Sequence, residues 1–102
     1  MTVELKKHDW VYVLVQKSGQ NETIVGQRDT ENDLNFIPVF KERDVAMQGV
    51  TQLAKSPNNA YEIQAIIYED LLSYAGNNNF LLFFIDGRGQ ILSKVTPDGR
   101  PV

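Results

Sequence analysis

The sequence predicts an α+β (or α/β) fold, a mixed β-sheet of five to six strands with two helices in the order β-β-β-α-β-α-β-β. Three observations predict it. Phe80-Leu81-Leu82-Phe83-Phe84-Ile85 is an unbroken apolar run, followed by Asp86-Gly87-Arg88-Gly89 and then by Gln90–Val95. A glycine-rich turn between two β-type runs reads as a hairpin, and a first arm without polar alternation reads as a strand buried on both faces. Trp10-Val11-Tyr12-Val13-Leu14-Val15 is a second such run, β-branched and aromatic throughout. Between Leu34 and Gly76 the apolar pattern twice passes from a strand period to a helical one.

Taken in order, Met1–Asp9 alternates weakly and reads as a short edge strand or an arm. Trp10–Val15 is the first strand, and Gln16–Glu22 a polar turn about Ser18-Gly19. Thr23–Gln27 reads as a short strand hairpinned onto the first, with Gly26 marking a bulge or a close backbone approach. Arg28–Asp33 is a charged loop. Leu34–Phe40 is the next strand, and Pro38, which has no N–H to donate, belongs at an edge or a bulge.

Lys41 to about Ala54 reads as a helix, with Met47, Val50 and Ala54 along one stripe and Glu42 and Asp44 in the first turn, where acids favour the helix dipole. Lys55–Asn59 is a loop. Tyr61–Ala75 fits either one long helix or a strand over Tyr61–Ile67 followed by a helix over about Glu69–Ala75. The alternation of Ile63, Ala65 and Ile67 with Glu62, Gln64 and Ile66 favours the split. Gly76 then reads as the left-handed helix cap, and Thr96–Val102 as a flexible tail.

Each strand–helix–strand unit predicts a parallel crossover. If consecutive crossovers advance in one direction, both helices fall on one face, and the bare face requires a partner. If the order reverses, one helix covers each face.

With 102 residues the chain makes a single domain, residues 1–102, in which residues 1–9 can form an arm. Hydrophobic content of 42% and charged content of 23% are those of an ordinary globular protein. The absence of cysteine excludes disulfides, thiol nucleophiles and zinc–thiolate sites, and fits a reducing, cytoplasmic location. A net charge of −3 argues against nucleic acid as a partner. No apolar run approaches the ~20 residues of a membrane span, and Met1–Lys7 is too mixed for a signal peptide.

An Ile-Pro-Val-Phe strand runs into an acidic helix start (Ile37–Asp44), a strand feeds a Glu-Asp-Leu-Leu helix (Glu69–Leu72), and a Phe-Ile-Asp-Gly hairpin follows (Phe84–Gly87). Over about residues 10–95 this pattern resembles the SseB N-terminal type of domain. It is also similar to small uncharacterised proteins of photosynthetic bacteria with the same strand–helix pattern. The resemblance implies a small α/β or α+β fold and carries over no catalytic residue.

Candidate chemistry is sparse. His8 is the sole histidine and has Asp9 beside it, but strand or arm neighbours point apart and no activated nucleophile is visible, so a surface role is the simpler reading. Asp86-Gly87-Arg88-Gly89 is followed by a strand and not by a helix, which makes it a hairpin turn and not a phosphate loop. Glu69 and Asp70, with Glu62, form the one acidic cluster near apolar sequence, and acids there favour a helix start. Arg28, Lys41, Arg43 and Lys55 are interleaved with acids and read as a solvated face.

The large aromatics Trp10, Tyr12, Phe36, Phe40, Phe80, Phe83 and Phe84 read first as core. More strands are apolar on both faces than two short helices cover, so part of this set, namely Trp10, Tyr12, Phe36 and Phe40, is the expected interaction face. The functional expectation is a non-catalytic interaction module that self-associates as a homodimer, without cofactor, metal, nucleic acid or membrane. The alternative is a small-ligand binder or enzyme using the carboxylates of Glu62, Glu69 and Asp70.

Overall fold

A computed structural model describes residues 5–18, 21–49 and 60–101. These hold strands β1 (Trp10–Ser18), β2 (Asn21–Ile24), β3 (Gln27–Asp29) and β4 (Leu34–Val39), helix α1 (Arg43–Gly49), strand β5 (Ala60–Ile67), helix α2 (Tyr68–Asn78), and strands β6 (Leu81–Ile85) and β7 (Ile91–Val95). The fold is α+β with a mixed sheet. Two ladders run β2-β1-β5 and β3-β4-β6-β7. All neighbours are antiparallel except β4 and β6, which are parallel.

The ladders meet where Tyr12 and Phe40 exchange two backbone hydrogen bonds of 2.8 and 2.9 Å. Across this joint the order is β5-β1-β4-β6-β7, with β2 and β3 wedged between β1 and β4. β2 and β3 are in effect one strand broken at Val25-Gly26. Its first half pairs with β1 and its second half with β4. Counted so, the element order is the expected one; the break is why the described residues hold seven strands and not five or six. Gly26 marks a close approach, as expected: a Cβ there would lie 2.6 Å from Cε1 of Phe80.

Alternation along β1 and β6 divides the apolar residues between two faces. Val11, Val13, Val15, Ile37, Val39, Leu82, Phe84 and Val95 pack with Tyr68, Leu71 and Ala75 of α2. Phe40, Phe83 and Ile85 pack with Ala46 of α1, flanked by Tyr12, Leu34, Phe36, Val45, Ile63 and Leu81. One helix therefore lies on each face. The reason is strand order: β1, apolar on both sides, takes the place between β4 and β5. The crossover through α1 thus runs outward past β1, and the crossover through α2 returns past β1 and β4 to reach β6. Leu82, Phe83 and Phe84 are at most 1% exposed, which bears out the two-sided burial of this strand.

Several local expectations are corrected. Pro38 lies inside β4, not at an edge. It has the same parity as Phe40, whose N–H points toward β1, so its nitrogen faces the gap between the last β3 pairing at Phe36 and the Tyr12–Phe40 bridge. In α1 the buried residues are Ala46 and Gly49, while Met47 is 58% exposed. Phe40 sets this stripe, because its ring occupies the place a Gly49 side chain would take. Val50 and Ala54, and the Lys55–Asn59 loop, lie outside the described residues.

The strand–helix split of the ambiguous segment holds, β5 ending at Ile67 and α2 starting at Tyr68. Gly76 does not end α2; the left-handed residue is Asn79, with φ 61°. The segment after Val95 turns back, and Pro101 bridges Val95.

Candidate interaction surface

Trp10, Tyr12, Phe36 and Phe40 come to one face of the sheet. Tyr12 and Phe36 flank the cluster that contains Phe40, and strand alternation puts Trp10 on the side of Tyr12. Their availability differs. Phe40 is fully buried beneath Gly49 and belongs to the core. Phe36 is half-buried and stacks on Phe83, with ring centroids 4.1 Å apart. Tyr12 is half-buried, and Trp10 is 57% exposed.

Ile91 and Leu92 were not singled out by sequence, yet they are 47% and 49% exposed. Both stand at the start of β7, where the register shifts opposite Ile85. The signal was present in two adjacent apolar residues that break strand alternation. Leu92 also lines a cleft of about 270 Å³ with Lys41, Glu42, Val45, Phe84, Ile85, Asp86 and Gly87, outside the carboxyl ends of the parallel strands β4 and β6. A second, more open cleft of about 460 Å³ follows the β2–β3 break, with Tyr74 and Phe80 along one wall and Gln16, Thr23, Arg28 and Asn35 among its polar groups.

The titratable candidates do not converge. His8 is exposed in a turn where the Asp9 carboxylate accepts from the Lys6 N–H at 2.9 Å. The carbonyls of Lys7 and Asp9 accept hydrogen bonds from Glu69 N–H and Tyr68 N–H at 3.1 and 2.8 Å. The arm thereby satisfies two donors at the start of α2, which has no side-chain cap. Glu69 and Asp70 are exposed in that first turn.

Glu62 lies on β5, seven residues before Glu69, and pairs with Lys17 at 2.8 Å. It also accepts from Gln64 Nε2 at 3.1 Å, and Gln64 donates to Glu22 at 3.2 Å. The hydrogen bond from Lys17 lowers the Glu62 pKa, and the same bond raises that of Lys17. Asp86 accepts from the backbone N–H of Arg88 and Gln90 at 2.8 and 2.9 Å, so its carboxylate closes the hairpin turn. Arg28 is paired with Asp33, Lys41 lines the smaller cleft, Arg43 opens α1, and Lys55 lies outside the described residues. Among the described residues no group of three or more histidine and carboxylate side chains is placed to hold a metal ion, and no helix is long and apolar enough to cross a membrane.

No protein-family model matches the chain, and no curated protein and no solved structure matches it.

Proposed function

We propose that this domain is a non-catalytic interaction module that self-associates as a homodimer in a reducing, cytoplasmic setting. The observation that carries the reading is the set of large apolar side chains left about half exposed, Trp10, Met47, Ile91 and Leu92. They lie on β1, α1 and β7, and Trp10 stands opposite Ile67 of β5, where a partner at that edge would remove it from water. Two-fold dimers are the commonest oligomers, which sets the stoichiometry. The resemblance to SseB N-terminal-type domains adds no residue role.

Sedimentation at micromolar concentration tests the proposal. A species of twice 11.6 kDa that dissociates on dilution is expected. A single 11.6 kDa species at every concentration overturns it.

A second reading, small-ligand binding, rests on the 270 Å³ cleft, with Lys41 and Asp86 among the residues that line it. It does not rest on Glu62, Glu69 and Asp70, which line neither cleft. Thermal shift against a metabolite panel separates the two readings. Stabilisation lost in Lys41→Ala, with no change in mass, favours the ligand.

A further inference from the structure

We infer that the two copies join through β5, pairing antiparallel edge to edge about a two-fold axis at Ile63; this rests on the self-association proposed above. Among the described residues the joined sheet ends in β5 on one side and β7 on the other. The β7 edge is blunted: its ladder shifts register beside Ile85, and Pro101 occupies Val95. Bulges and closing segments are the usual protection of a sheet edge. β5 has neither. It keeps register with β1 through all its pairs, from Trp10–Ile67 to Lys17–Ala60, and contains no proline and one charged residue, Glu62.

The side chains point the same way. Ile63, Ile66 and Ile67 are only half-buried and Ala65 is exposed, whereas Leu82–Ile85 of β6 are all buried. β5 thus has the apolar composition of an interior strand at an edge position. A second β5 laid beside it would bury these residues.

The charge pattern selects the occupant and the register. A strand that pairs with its own copy about a two-fold axis runs antiparallel, and some residue lies opposite itself. With Ile63 at that position, Glu62 faces Gln64 of the second copy twice over, and Tyr61 faces Ala65. The Gln64 amide already donates to Glu62 within one chain, so the cross-pair repeats a contact the protein makes. Lys17 neutralises Glu62, so no bare like charges meet. A register centred on Gln64 instead sets the Glu62 carboxylate against Ile66.

The chain has no cysteine, so engineered thiols report without background. Self-paired residues have Cα atoms ~4.5–5.5 Å apart, inside the range that a disulfide spans. Oxidised Ile63→Cys is expected to run as a reducible covalent dimer, while Glu62→Cys and Gln64→Cys, each displaced by two residues from its own copy, stay monomeric under denaturing conditions. Tyr61→Cys mixed with Ala65→Cys is expected to form the mixed dimer and neither self-dimer, which keeps the test intact if Ile63→Cys fails to fold. A protein that sediments as a dimer without these cross-links, or that cross-links equally at every position, overturns the β5 interface and leaves self-association standing. A monomer at every concentration overturns both.

Discussion

Phe83 is fully buried, stacks on Phe36 at 4.1 Å between centroids, and has the Lys94 ammonium 5.1 Å from its ring centre. Phe83→Ala removes the ring and leaves a cavity, so it is expected to cost about 3–5 kcal/mol. Chemical denaturation reads this directly, and a loss no larger than that of a surface substitution contradicts the central role of β6. Asp29 works through geometry and not burial. Its carboxylate accepts from the Asn32 side-chain amide at 3.0 Å and from the N–H groups of Asn32 and Glu31 at 3.4 and 3.1 Å. The Asn32 amide is the main cause of its lowered pKa. A carboxyl with a lowered folded-state pKa contributes stability above the ordinary carboxylate range and loses it as pH falls through the folded value. Asp29→Asn is therefore expected to melt below wild type at neutral pH and to approach it in acid, below the ordinary carboxylate range, where the wild-type carboxylate is lost. Parallel melting curves that keep a constant gap from neutral to acid pH contradict this.

Helix α2 shows how an element is closed by parts distant in sequence. Its first two N–H groups are taken by carbonyls of the N-terminal arm, and its far end is turned by Asn79 in the left-handed region. Asparagine tolerates that region and glycine does so freely, whereas other residues meet a penalty of roughly 1–2 kcal/mol. Asn79→Gly should therefore be neutral or stabilising and Asn79→Ala destabilising by about 1 kcal/mol, as thermal unfolding of the pair will show. The β5–α2 boundary was legible because Ile63, Ala65 and Ile67 alternate before the Glu-Asp-Leu-Leu start. The end of α2 was not, because Gly76 and Asn79 are both competent caps and local chemistry does not rank them. The stripe of α1 was misread for a different reason. Its buried residues are dictated by where Phe40 sits beneath Gly49, a contact that periodicity alone does not contain.

At the scale of the whole molecule, the sheet separates two apolar layers, one under each helix. Leu71 belongs to the layer under α2 and Phe40 to the layer under α1. Leu71→Ala is expected to cost about 2–5 kcal/mol and Phe40→Ala about 3–5. Having no shared cluster, the two losses should add within ~0.5 kcal/mol in a double-mutant cycle. A coupling energy above 1 kcal/mol would show that the layers act as one. The fold class was readable from the two long apolar runs, and the surplus of two-sided strands was visible as well. The strand order was not readable, since nothing local states that β1 sits between β4 and β5. The same limit hid the β5 edge, because its isoleucines look like those of an interior strand until the sheet order is known. That interior place of β1 has a consequence for synthesis. Trp10–Val15 leaves the ribosome early, but its β5 neighbours, residues 62–67, are made more than forty residues later. During that interval an aromatic, β-branched segment has, among the described residues, the short β2 hairpin and the single bridge to Phe40 to pair with. Long-range pairing of this kind slows folding and exposes nascent strands to aggregation. Arrested chains that stop before residue 60 are thus the form of this protein most in need of a chaperone.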